Sequence, residues 1–175
     1  MNSIKDRLPA TLLTDRLVLT TPTLAHVPEM AVLANSRTIH EVLSRLPHPY
    51  DESHARDFVQ NIGRGPEEFA WSILLQGSYI GTMGLHLQPD QLPELGYWLG
   101  QPYWGHGYAT EAAQAVVTAA RTAGYRALRS RALLTNTASR NVLRKVGFIE
   151  TGEDVDKVGT LAGRQVMQMR LEFER

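Results

Sequence analysis

Along this chain the spacing of apolar residues switches between a strand-like and a helix-like period, and the switches mark out its elements. Residues 16–21 read as a strand from their β-branched and apolar content. Residues 23–35 read as a helix, with Val27, Met30, Ala31 and Ala34 at helical spacing. Pro28 must then lie in its first turn, where a missing N–H is tolerated. Over 36–50 the pattern weakens, and Pro47 and Pro49 mark a loop. Asp51 can cap a second helix whose Ala55, Phe58, Val59 and Ile62 form one apolar stripe, ended by Gly63, Gly65 and Pro66. Strands over 69–75 and 78–87 flank a tight Gln76-Gly77 turn, and after Pro89-Asp90 a further strand covers 92–99.

The second half has a different rhythm. An alanine-rich helix over 108–123 stops at Gly124, the residue expected just past a helix end. A strand over 126–134, a short helix over 136–146 stopped by Gly147, and strands over 148–155 and 164–173 follow. The order is strand, two helices, three strands, then helix–strand–helix–strand–strand. An antiparallel first half thus joins a βαβ crossover, which should be right-handed and parallel. The expected fold is α/β: a mixed, largely antiparallel sheet with helices. Residues 1–11 read as a poorly ordered tail before a single domain, 12–175.

Composition narrows the function classes. A chain of 175 residues suits one domain with a sizeable core. The formal net charge is +0, which argues against general nucleic-acid binding, where a basic surplus neutralises phosphates. With no cysteine, disulfides and thiolate nucleophiles are excluded. The N-terminal residues hold no apolar signal-peptide core, and no stretch approaches the roughly 18 apolar residues of a membrane span. A cytoplasmic protein without membrane or nucleic-acid partners is the simplest reading. The six histidines show no metal-ligand spacing, so no metal is expected.

The chemistry concentrates in 94–111, Glu-Leu-Gly-Tyr-Trp-Leu-Gly-Gln-Pro-Tyr-Trp-Gly-His-Gly-Tyr-Ala-Thr-Glu. A strand runs into a loop holding Gly105 and Gly107, and a helix starts at once. The glycines remove Cβ atoms that would keep an anion from backbone N–H groups. The free N–H groups of the first turn and the helix dipole can then hold a pyrophosphate. Structural turn glycines are the plainer alternative. A P-loop would need Gly-Lys-Ser/Thr where this chain has Ala109-Thr110-Glu111. A dinucleotide fingerprint would want a third glycine and a place on the first strand of its domain.

On these residues the segment resembles the acetyl-coenzyme A loop of the GNAT superfamily of N-acetyltransferases, whose signature is Gln/Arg-x-x-Gly-x-Gly/Ala. Trp104-Gly105-His106-Gly107-Tyr108-Ala109 matches at Gly107 and Ala109, with Trp104 at the Gln/Arg position. The wider run through Thr110-Glu111-Ala112 is similar to the ribosomal-protein N-terminal acetyltransferase branch. So are Thr14-Asp15-Arg16-Leu17-Val18-Leu19, Leu46-Pro47-His48-Pro49-Tyr50, and the block from Asn136 to Ser139 with Leu143 to Phe148.

The resemblance implies a single-domain GNAT fold in which a central pair of parallel strands splays to admit the pantetheine arm of acetyl-CoA. Tyr97, Trp98 and Leu99 would supply backbone contacts to it, and an N–H near Leu99 could polarise the thioester carbonyl. The plain alternative for the Trp98 and Leu99 side chains is core packing. The loop from Trp104 to Ala109 would hold the pyrophosphate. Asn136 is either a helix N-cap or a pantetheine contact. Ser139 either bonds back to its own helix or protonates the departing thiolate. Arg140, Arg144 and Lys145 form a solvated face or approach the 3′-phosphate. Glu94 is the carboxylate candidate for a base acting through water, or else an exposed strand-end acid. Glu111 reads as helix-dipole or packing support. His40, Glu41, His48 and Tyr50 border the region where acceptor choice should lie.

Together these readings give direct transfer from acetyl-CoA to a primary amine, with a protein N-terminal α-amine preferred on family branch. An α-amine titrates near 8 and needs little base, whereas a lysine side chain needs more. A small-molecule amine such as a polyamine, amino acid or aminoglycoside is the enzyme alternative, and a non-catalytic acyl-CoA-binding module the alternative of another class. A homodimer joined through sheet edges is compatible with a sequence that is silent on it.

Overall fold

The computed structural model describes residues 3–174. Its sheet runs β1 (Leu12–Leu13), β2 (Leu17–Thr20), β3 (Glu68–Leu75), β4 (Ser78–His86), β5 (Glu94–Leu99), β6 (Ala127–Leu133), β7 (Ile149–Val155) and β8 (Gln165–Glu172). Their spatial order is β1-β2-β3-β4-β5-β6-β8-β7. Neighbours pair antiparallel throughout except β5 and β6, which are parallel. The helices are α1 (Val27–Ala34), α2 (Arg37–His40), α3 (Glu52–Asp57), α4 (Tyr108–Ala123) and α5 (Thr137–Lys145). This is the single-domain α/β architecture that the alternation of patterns predicts.

Because side chains alternate across a pleated strand, β3, β4 and β5 serve two different faces. Phe69, Trp71, Met83, Leu85, Leu95 and Leu99 join a core with Ala112, Ala113, Val116 and Ala120 of α4 and Leu143 of α5. Tyr79, Leu74 and Trp98 pack on the opposite side with Val27, Met30 and Ala34 of α1 and Ala55 of α3. The alanines of α4 let that helix lie close on the sheet, and Gly124 ends it in the left-handed conformation at φ 112°.

The structure departs from the sequence reading at three places. The segment read as a tail is anchored to the domain: Lys5–Arg7 form a 3-10 turn, Leu8 is 6% exposed, and Trp71 Nε1 donates to the Pro9 carbonyl at 3.0 Å. One buried leucine in a polar stretch leaves no period to read. Met1 and Asn2 lie outside the described residues. Within 36–50, Ser36 caps the single turn α2 through Ile39 N–H at 3.3 Å, too short a helix to register as a pattern. The second helix is α-helical only to Asp57 and continues as a π turn, Phe58–Ile62, with Gly63 N–H donating to the Phe58 carbonyl at 2.8 Å.

Glu111 in the first turn of α4 fastens that helix to the N-terminal hairpin. Its Oε2 accepts from Thr14 Oγ1 at 2.5 Å and Arg16 N–H at 3.0 Å, and its Oε1 from Arg16 Nε at 2.8 Å. Burial alone would raise this carboxyl, but the hydrogen bonds from Thr14 and Arg16 outweigh it and hold the carboxyl below its ordinary value.

Two outcomes follow for stability. Leu8→Ala should lower the unfolding free energy by about 2–4 kcal/mol in urea titration, whereas an unpacked tail would leave it unchanged. Glu111→Gln should lower the Tm at pH 7 by a few degrees. The Glu111 contribution is present above the unfolded carboxylate value, about 4.3, and is lost as pH falls through the lower folded value. Wild type and variant should therefore converge in acid.

Candidate active site

The loop between β5 and α4 is shaped by two left-handed glycines, Gly105 at φ 78° and Gly107 at φ 81°. Gly107 is the N-cap of α4 and has no side chain to occupy the first-turn N–H groups, so those donors stay available to an anion. A Cβ on Gly105 would meet nothing within 4 Å, so the space in front of the loop is open. Arg16 brings a cation to it: Nη1 donates to the His106 carbonyl at 3.0 Å, and the guanidinium lies 4.5 Å over the Tyr108 ring. A Cβ on Gly107 would stand 3.4 Å from Arg16 Nη2. Trp104 points its indole Nε1 at the Leu99 carbonyl, 2.8 Å away, and so ties the loop to the end of β5. The residue that departs from the signature is thus a brace for the loop.

β5 and β6 share one paired position, Glu94 with Arg129. Ser130 Oγ donates to the Leu95 carbonyl at 2.7 Å and Arg129 N–H to the Pro93 carbonyl at 2.9 Å; beyond these the strands part. Tyr97 follows on β5, and its hydroxyl donates to Ser139 Oγ of α5 at 3.1 Å. Burial pushes the Tyr97 phenol up, and its bond to Ser139 draws it partly back, so it remains a donor at neutral pH. Ser139 therefore bonds to the sheet and keeps its own O–H free. Asn136 is the N-cap of α5, its Oδ1 accepting from Ser139 N–H at 3.2 Å. Arg144 lies on the exposed side of α5, bound to Glu150 at 2.5 Å and Asn141 at 2.9 Å, with Arg140 sharing Glu150.

On the other face of β5 lies a cavity of about 620 Å³ between the sheet, the π turn and the segment 43–47. Gly84 and Gly96 stand opposite each other in the β4–β5 register; the floor is bare backbone at Gly96, and the Glu68 carboxylate lies over Gly84. Phe58, Ile62, Tyr50 and Trp98 give apolar walls, which accounts for apolar residues of the π turn that the core does not fully cover. Glu94, Glu68, His86 and Arg45 supply its polar edge. Tyr97 borders this cavity as well as meeting Ser139, so it joins the two sides of the strand. Burial, then Asp51 and Asp57, raises the Tyr50 phenol to about 12.

Glu94 is mostly shielded from solvent and faces two cations, Arg129 at 3.6 Å and Arg131 at 3.9 Å. Arg131 also stands 3.3 Å from Asp156, whose side chain is fully buried. The loop after Asp156 holds the cavity wall in place: Thr160 N–H donates to the Ser44 carbonyl at 3.1 Å and Arg164 to the Glu41 carbonyl at 3.0 Å. Gly159 passes too near the Ser44 carbonyl for any side chain. Of the remaining acceptor-border residues, His40 packs on His48 with ring centroids 5.3 Å apart and bonds to the Leu46 carbonyl at 2.6 Å.

The sequence reading passed over Arg16, Arg131, Asp156, Glu68 and His86. Each acts on a partner far away in the chain, as Arg16 does on His106, so no local spacing could have signalled it.

Comparison with known proteins agrees with this geometry. The profile of the acetyltransferase (GNAT) domain matches residues 16–149. The uncharacterized N-acetyltransferase YycN of Bacillus subtilis (strain 168) is 31% identical over 102 residues; the match takes in 54% of this chain and 65% of that protein, just under two thirds of its length. The ribosomal L7/L12 α-N-protein acetyltransferase RimL, solved with coenzyme A, superposes with a TM-score of 0.81 at 20% identity, over 95% of this chain and 97% of its own. The microcin C7 self-immunity acetyltransferase MccE, solved with acetyl-CoA and AMP, gives 0.81 at 16% identity, over 95% and 99%. With its glycine-rich helix start, its parting parallel strands and a domain profile spanning most of its length, the chain belongs to the GNAT acetyltransferase family.

Proposed function

We propose that the chain transfers the acetyl group of acetyl-CoA to a primary amine, and that this amine is the α-amine of a peptide N-terminus. The observation that carries the reading is the junction at Tyr97. It joins a strand gap and phosphate-binding loop on one side to a 620 Å³ cavity edged by carboxylates on the other. Acetyl-CoA supplies an acyl group already activated as a thioester. The residues present fit it: bare first-turn N–H groups at Gly107, the Arg16 guanidinium beside them, and unpaired strand edges after Leu95.

Within this reading Glu94 draws the acceptor's ammonium to the mouth of the gap. Ser139, accepting from Tyr97, turns its own proton toward the departing sulfur, which leaves as the thiol, and Ser139 regains a proton from water as the product departs. Alignment of amine and thioester across a fixed gap supplies much of the rate. The cavity lies within the usual 300–1,000 Å³ of small-ligand sites, so it suits the first residue or two of a peptide, with the rest outside. The likeness to RimL, an α-N-protein acetyltransferase, supports the peptide reading.

Three measurements check it. Acetyl-CoA should bind in titration calorimetry, and unblocked peptides should be acetylated in preference to polyamines and amino acids; the reverse preference would remove the peptide assignment. Gly107→Val should lose about 100-fold or more in acetyl-CoA affinity while keeping its far-UV spectrum, because a β-branched residue resists φ 81° and fills the cradle. Ser139→Ala should lower kcat about 10-fold or more with acetyl-CoA affinity held within about twofold, as expected of a proton donor.

A further inference from the structure

Glu68, His86 and Glu94 stand at one edge of the acceptor cavity because of register. Glu68 on β3 is the partner of His86 on β4, and His86 is in turn the partner of Glu94 on β5. Residues directly opposite on antiparallel strands share a face, with Cβ atoms about 5 Å apart. All three line the cavity. Among the described residues they are not arranged to hold a metal ion, so their grouping calls for another explanation.

The hydrogen bonds fix which ring nitrogen of His86 carries the proton. Arg45 Nη1 lies 2.8 Å from His86 Nε2, and a guanidinium can only donate, so Nε2 is an acceptor whose lone pair is taken by Arg45, itself a residue of the cavity lining. His86 Nδ1 lies 3.0 Å from Glu68 Oε2, so Nδ1 holds the hydrogen and donates it to the carboxylate. Glu68 is seated by an absent side chain: a Cβ on Gly84 would come within 2.7 Å of Glu68 Oε1. The histidine is therefore oriented by a carboxylate on Nδ1, while its acceptor nitrogen, Nε2, is bonded to Arg45 of the 43–47 wall. A carboxylate on one ring nitrogen and an acceptor lone pair on the other is the arrangement in which an imidazole serves as a base once Arg45 releases Nε2.

We infer that His86, oriented by Glu68, is the base that takes the proton of the acceptor's ammonium. The inference rests on the acceptor site described above, and holds for a peptide or a small amine alike. The N–H bond of the ammonium breaks, an Nε2–H bond forms on His86, and the nitrogen lone pair is freed for attack. The new imidazolium is held by Glu68 on Nδ1 and gives its extra proton to bulk water afterwards. Arg45 cannot donate to a protonated Nε2, so it leaves the ring as the acceptor's ammonium takes its place. Glu94 then binds the ammonium, and His86 removes its proton. An imidazole titrates nearer to an α-amine than a carboxylate does, which makes it the better matched acceptor of that proton.

The test has two arms. In long-range proton–nitrogen NMR of the ligand-free protein, with His86→Gln assigning the signal, neutral His86 should be the Nδ1–H tautomer, and Glu68→Gln should weaken that preference. A predominant Nε2–H tautomer would overturn the inference whether or not any acceptor is known. In the kinetic arm, an unblocked alanine-led hexapeptide and spermidine serve as probes. His86→Gln should lower kcat about 100-fold at pH 7 with acetyl-CoA affinity unchanged, and the deficit should shrink as pH rises toward the probe's own pKa. A deficit independent of pH, or none, would overturn it. Turnover of spermidine alone would remove the peptide reading and leave the role of His86 to be judged on spermidine. If wild type turns over neither probe, the acceptor reading fails and the base role of His86 falls with it, whereas an Nε2–H tautomer removes the base role alone.

Discussion

Two parallel strands that pair at one position and then part impose the rest of this structure. Backbone N–H and C=O groups on β5 and β6 lose their ladder partners after Glu94 and Arg129. Separated strands need holding on both flanks. β5 is held by the full antiparallel ladder with β4, from Gly81 with Leu99 to His86 with Glu94, and β6 by its ladder with β8. Ser130 Oγ on the Leu95 carbonyl marks the crotch where the strands diverge. The opening is thus rigid, and an extended ligand can meet edges already in position.

The phosphate loop depends on the same separation. Once β5 leaves β6 it must turn into α4, and left-handed Gly105 and Gly107 make that turn with no side chain over the helix start. Trp104 on the Leu99 carbonyl, and Arg16 between Glu111 and the His106 carbonyl, set the loop's orientation. The N-terminal segment therefore helps to shape the glycine loop. Its Leu8 is buried in the main core, and its Arg16 stands beside the cradle.

On the opposite face the sheet lacks side chains where Gly84 meets Gly96, and charged residues gather at the edge of that gap. The two carboxylates sit in different surroundings. Glu94 faces two arginines, one of which also answers the buried Asp156, whereas burial raises the Glu68 carboxyl and its neighbour is a histidine. One anion is compensated by fixed cations and the other by a group that can take up and release a proton. On the proposed reading, that difference divides the work at one edge of the cavity, Glu94 holding the ammonium and His86 taking its proton.

The order of strands and helices, the helix stop at Gly124, the Asp51 cap and the glycine loop were legible in the sequence because each rests on local period, turn chemistry or capping. Of the candidate site, the left-handed glycine turn and the Asn136 cap were readable for the same reason, while Ser139 and Glu94 could be named but not given partners. The packing of Leu8, the brace from Trp104 to Leu99, the bond from Tyr97 to Ser139 and the line of Glu68, His86 and Glu94 were not legible. Glu68 and His86 are 18 residues apart, and Tyr97 and Ser139 are 42. The sequence by itself determined which segments become strands and where a helix could accept an anion. The tertiary structure alone decided which polar groups meet, because strand register and the parting of β5 from β6 place side chains that share no local pattern.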